Sequence, residues 1–161
     1  MNTNLFLVFL MLLTVYGCSP DKKITVISPD KSVRLTIGQL PGERIPSFSL
    51  EAYGKKILLP SCFNLDLKNN EIHDKLKIVR IENNTVTNTW INNYGERKEI
   101  PDNYNQMKLY LKSRDIDLNL IFRVYNEGAA FAYEFPEQPG KDSLTINDEK
   151  FSFRFPSDFL T

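Results

Sequence analysis

The stretch Leu118-Asn119-Leu120-Ile121-Phe122-Arg123-Val124-Tyr125-Asn126-Glu127-Gly128, running on to Phe131, Tyr133 and Phe135, decides the fold class. In an extended chain successive side chains point to opposite faces, so Leu118, Leu120, Phe122 and Val124 share one side while Asn119, Ile121, Arg123 and Tyr125 share the other. Asn126-Glu127-Gly128 supplies a tight turn, after which Phe131, Tyr133 and Phe135 alternate with Ala130, Ala132 and Glu134. The pattern predicts a β-hairpin with one oily face.

The same period of two recurs in both directions. Val33, Leu35 and Ile37 alternate with Arg34 and Thr36. Phe48 and Leu50 alternate with Ser49 and Glu51 before the turn tetrad Tyr53-Gly54-Lys55-Lys56, from which Ile57-Leu58-Leu59 returns. Leu76, Ile78 and Arg80 interleave with Lys77, Val79 and Ile81, and Met107, Leu109 and Leu111 with Lys108, Tyr110 and Lys112. Phe151, Phe153 and Phe155 close the series. The asparagine pairs at 69–70, 83–84 and 92–93 read as turn residues. Roughly ten strands, each sheet with one face to cover, predict an all-β chain folded as an antiparallel β-sandwich.

A length of 161 residues allows one domain. Twenty Lys and Arg balance twenty Asp and Glu, so no field gathers a phosphate backbone, and nucleic acid is not an expected partner. One His and two Cys are too few for a zinc cage or a disulfide framework. Eleven Phe and seven Tyr must hold the fold by packing.

The N-terminus reads as an address. Leu5 to Val15 is an apolar run too short to span a bilayer but suited to an export signal. It ends in Val15-Tyr16-Gly17-Cys18, which is similar to a bacterial lipoprotein box. The expected division is a signal peptide over residues 1–17, a lipid anchor on Cys18, a tether over 18–23 and a sandwich over 24–161. The product would be exported and held at a membrane, in the periplasm or on the outer membrane. Cys62, in an alternating stretch with no basic neighbour, reads as a packed residue and not a nucleophile.

Residues 89–106, from Thr89-Trp90 through Tyr94-Gly95-Glu96-Arg97-Lys98-Glu99 to Tyr104-Asn105-Gln106, form the densest polar and aromatic stretch. An aromatic plane beside carboxylate and amide groups suits the C–H face and hydroxyl rim of a sugar, which makes Trp90, Tyr94, Glu96, Tyr104 and Asn105 candidate substrate contacts. The alternative is that Trp90 sits in the core and Glu96 to Glu99 form a solvated turn. Glu96 with Glu99, Glu127 with Glu134, and Asp148 with Glu149 are nominal acid pairs, but none has the setting that glycoside hydrolysis needs. The lone His73 reads as a loop residue. No catalytic residue and no metal ligand is assigned.

Taken in order, several segments resemble the N-terminal domain of glycoside hydrolase family 97, bacterial α-glucosidases and α-galactosidases common in Bacteroidetes. They are Ile27-Ser28-Pro29-Asp30, Tyr53-Gly54-Lys55-Lys56, Phe63-Asn64-Leu65-Asp66-Leu67, Trp90 with Tyr94-Gly95-Glu96 and Lys98-Glu99-Ile100, Tyr104-Asn105, Leu120 to Gly128, and Ala130-Phe131-Ala132-Tyr133-Glu134-Phe135-Pro136. Where the family tends to carry Arg-Asn-His-Tyr-Asn-Glu, this chain has Pro101-Asp102-Asn103-Tyr104-Asn105-Gln106. The resemblance implies a galactose-mutarotase-like β-supersandwich that packs on a catalytic (β/α)₈ barrel and helps wall its sugar pocket, the substrate being an α-linked oligosaccharide.

In such enzymes the catalytic carboxylates lie in the barrel. α-Glucosidase members invert with the help of a calcium ion; α-galactosidase members retain. Calcium is thus implied for the full-length family, and no cofactor is expected in this chain, because Thr161 precedes the place of a metal-binding glutamate. The resemblance makes the chain a non-catalytic accessory domain, truncated before the barrel. A free-standing, lipid-anchored carbohydrate-binding module is the alternative.

Overall fold

The computed structural model describes residues 24–68, 72, 74–114, 116–138, 140 and 143–158. The leader, Cys18, the tether, the Asn69-Asn70 pair and His73 lie outside the described residues. Nine strands are present among those described: β1 (Ile24–Ile27), β2 (Val33–Gly38), β3 (Ser47–Ala52), β4 (Lys55–Leu67), β5 (Lys77–Ile91), β6 (Glu99–Lys112), β7 (Asp117–Tyr125), β8 (Gly128–Glu134) and β9 (Ile146–Arg154). They form two antiparallel sheets, ordered β1-β2-β3-β4-β9 and β5-β6-β7-β8.

The expected alternation sets the core. Val33, Leu35 and Ile37 of β2 are buried, as are Leu118, Leu120, Phe122 and Val124 of β7 and Met107, Leu109 and Leu111 of β6. Phe48 of β3 and Phe63 of β4 stack at 4.7 Å and meet Phe122 and Phe131 of the opposing sheet. These rings join the two layers.

β4 serves two neighbours. Its first part pairs with β3 and its second with β9, and the change coincides with a register shift in which Phe48 and Leu50 face Ser61 and Leu58. The extra residue falls at Leu59-Pro60, where a proline does least harm because it has no N–H to lose from the ladder. Ser61, wholly buried at the bulge, donates to the Leu59 carbonyl at 2.8 Å and accepts from the Arg154 amide at 3.1 Å. Its hydroxyl thus ties the bulge to β9.

Two local readings change. The turn after β3 is only Tyr53-Gly54, with Ala52 paired to Lys55, and both turn residues have positive φ, 51° and 74°. That is a mirror-image turn, which matches strand twist but strains a residue with a Cβ. Tyr53 is three-quarters exposed, so Tyr53→Asn removes strain and little else. It should raise stability by about 0.5–1 kcal/mol in urea unfolding; a lowered midpoint would show that the tyrosine ring holds the turn.

Asn83 and Asn84 are not turn residues. They lie mid-strand in β5, opposite Met107 and Gln106. β5 is almost entirely exposed, and a strand without a covered face can carry asparagine and threonine on both sides.

Candidate functional site

β5 and β6 pair with each other from Lys77–Lys112 to Ile91–Glu99, but β7 joins β6 only from Asn105 to Lys112. Val86 to Ile91 and Glu99 to Tyr104 therefore form a two-stranded arm with no third strand among the described residues, about 20 Å long at ~3.3 Å per residue. The arm projects from the sandwich and is closed by residues 92–98. The Asn92 amide donates to the Lys98 carbonyl at 2.8 Å, and Asn92 Oδ1 accepts from the Tyr94 amide at 3.1 Å. Gly95 has φ 153°, and a Cβ there would stand 2.8 Å from Asn92 Nδ2. Glycine is required for this tip geometry.

The five sugar-contact candidates separate into two groups. Trp90, opposite Ile100 in register, is 51% exposed, Tyr94 is 92% exposed, and Glu96 is exposed. These three lie at the arm's end. Trp90 is therefore not a core residue. Tyr104 and Asn105 lie at the arm's root. Tyr104 is 5% exposed, with the Arg123 guanidinium 4.6 Å from its ring centroid and the Tyr125 ring at 5.1 Å. Asn105 Nδ2 donates to the Ile27 carbonyl of β1 at 2.7 Å, and its Oδ1 accepts from the Thr85 hydroxyl at 2.8 Å. It ties the two sheets together.

The stretch Pro101 to Gln106 is occupied with its own sheet. Asp102 accepts from the Tyr125 hydroxyl at 3.3 Å, Asn103 accepts from the Asn88 amide at 3.2 Å, and Gln106 accepts from Arg123 Nε at 3.1 Å. Spacing along the chain gave no sign of this, because the partners come from β5 and β7.

Three carboxylates, Glu134, Asp148 and Asp30, are shifted away from what a general acid needs. Catalysis of that kind needs a raised carboxyl pKa. Glu134 is held below its ordinary value by the Lys108 ammonium, which donates to it at 2.8 Å, and by the Asn119 amide. Asp148 is lowered in the same way by Lys150. Asp30 is lowered by the Ser32 hydroxyl and amide and the Ser28 hydroxyl, in the turn that joins β1 to β2. Half-buried Cys62 has its thiol raised by burial, which favours the inert protonated form. Among the described residues no three His, Cys, Asp or Glu side chains converge.

Comparison with known proteins places this geometry. A retaining α-galactosidase of Bacteroides thetaiotaomicron is 30% identical over 155 residues, which covers 94% of this chain and 22% of that enzyme. A crystal structure of a β-arabinopyranosidase superposes with a TM-score of 0.74 at 25% identity, over 83% of this chain and 21% of that one. A glycoside hydrolase family 97 enzyme in complex with acarbose, from Pseudoalteromonas sp., shares the fold with a TM-score of 0.72 at 23% identity, over 83% and 20% of the two chains. The chain spans about a fifth of the length of these relatives. The family model for the glycosyl-hydrolase 97 N-terminal domain matches residues 26–161, and the chain belongs to that family.

Proposed function

We propose that this chain is the non-catalytic sandwich domain of an exported α-glycosidase, and that its β5–β6 arm helps wall the sugar pocket of a catalytic (β/α)₈ barrel. The observation that carries the reading is the arm itself. A two-stranded ribbon is marginal in water, and this one presents Trp90, Tyr94 and Glu96 at its end. An aromatic plane can cover the C–H face of a sugar while a carboxylate accepts from its hydroxyls. Within residues 101–106, where this chain departs from the family's usual run, Asp102, Asn103 and Gln106 bond to groups of their own sheet and leave recognition to the tip. In this reading residues 1–17 export the domain, a lipid on Cys18 anchors it to a bacterial envelope membrane, and calcium is held by residues outside the domain.

The chain alone, supplied with calcium, is expected to release no p-nitrophenol from p-nitrophenyl α-galactoside or α-glucoside above the buffer rate. Sustained turnover that scales with protein would sink the proposal. The exposed Trp90 also favours a second reading, a free-standing sugar-binding module. Saturable heat on titration with α-galactosides or maltooligosaccharides, lost in Trp90→Ala, would select that second reading.

A further inference from the structure

The two sheets are offset. Phe131 of β8, the edge strand of the four-stranded sheet, already meets Phe48 of β3 and Phe63 of β4. β9 lies one strand further out, and all nine of its residues are exposed. Its register with β4 sets Phe151 opposite the buried Phe63, so Phe151 and Phe153 turn toward the opposing layer. They contact Phe131 and Phe48 at 5.4 and 6.1 Å, yet remain 42% and 49% exposed. Beside them runs an apolar groove of about 330 Å³ lined by Leu35, Phe48, Leu58, Phe122, Phe131 and Phe153. The Tyr133 hydroxyl of β8 is buried without a hydrogen-bond partner among the described residues. Among the described residues both β8 and β9 end their sheets, so each presents a row of unpaired backbone groups at this opening.

We infer that this opening receives an extended segment from the part of the enzyme outside the domain, added alongside β8 with alternate apolar side chains laid over Phe151 and Phe153. A strand satisfies both deficits together: the β8 edge gains its ladder and the phenylalanines are covered. The donor is the remainder of the enzyme because relatives carry this domain in chains about five times as long. A second copy fits less well. Pairing β9 with another β9 would lengthen the sheet but leave Phe151 and Phe153 facing water. The other long exposed edge, β5, carries Asn83, Asn84, Thr85, Thr87, Asn88 and Thr89 and has no such need.

This inference rests on reading the chain as one domain of a larger glycosidase, but its test involves no sugar. The probe is a synthetic peptide copying the residues just downstream of the matched stretch in the Bacteroides thetaiotaomicron α-galactosidase. With the peptide at ten times its Kd, amides of Gly128 to Glu134 should exchange with deuterium roughly tenfold more slowly. A Phe151→Lys, Phe153→Lys variant should lose that protection; if it does not fold, Phe153→Ala alone should weaken it measurably. No protection, or protection confined to β5, overturns the inference. So does protection of β9 that rises with protein concentration in the absence of peptide, which would mark a second copy as the occupant. Loss of the glycosidase reading through turnover by the isolated chain would leave the exchange result unaffected.

Discussion

Replacing Phe63 by alanine is expected to cost about 3–5 kcal/mol, the range for removing a large buried aromatic side chain. The ring is 1% exposed and touches five others from both sheets: Phe48, Phe122, Phe131, Tyr133 and Phe151. Its loss opens a cavity that β4 cannot collapse to fill, since bonds to β3 on one side and β9 on the other fix that strand. Against a total stability of ~5–15 kcal/mol, the variant would sit near the edge of folding. Urea unfolding should show the midpoint falling by about a fifth or more, whereas Phe153→Ala should lose less than ~1.5 kcal/mol because half of that ring is already in water. Equal losses for the two would show that Phe63 is not the hub of the core.

Asn105→Ala should cost about 1–3 kcal/mol. The substitution strips the Ile27 carbonyl of its donor at the join between β1 and β6, and the Thr85 hydroxyl of its acceptor. Thr85 is exposed and can turn to water, so Thr85→Ala should stay within ~0.5 kcal/mol. Thermal unfolding of the two variants separates structural work by Asn105 from contact with sugar. A variant with unchanged melting but lost galactoside binding would put Asn105 in the sugar site instead of the frame.

The runs that were legible in the sequence are those with one covered face. Val33 to Ile37, Leu118 to Val124 and Phe131 to Phe135 announce strands because burial demands an apolar residue at every second position. Asn83-Asn84 misled for the opposite reason: β5 has no covered face to impose a period, so its residues follow turn statistics while its backbone follows β6. Among the site candidates, Trp90, Tyr94 and Glu96 could be placed together by sequence proximity to one turn. Tyr104 could not be placed, because what covers it, Arg123 and Tyr125, arrives from β7. Local spacing carries no record of such partners.

The division of β4 between two neighbours also bears on the order in which the chain closes. β5 to β8 form a meander in which each strand pairs with the next, so its contacts are made over short loops. The far flank of β4 must wait for β9, and Phe63 meets Phe151 across roughly 90 residues of intervening chain, a slow closure by the usual dependence of rate on contact separation. During synthesis the row Phe63, Leu65 and Leu67 therefore emerges long before the strand that pairs with its far flank, and the four-stranded meander is finished before that strand. Until β7 and β8 supply Phe122 and Phe131, the stacked Phe48 and Phe63 have no opposing layer, and that earlier interval leaves their aromatic surface open to a chaperone.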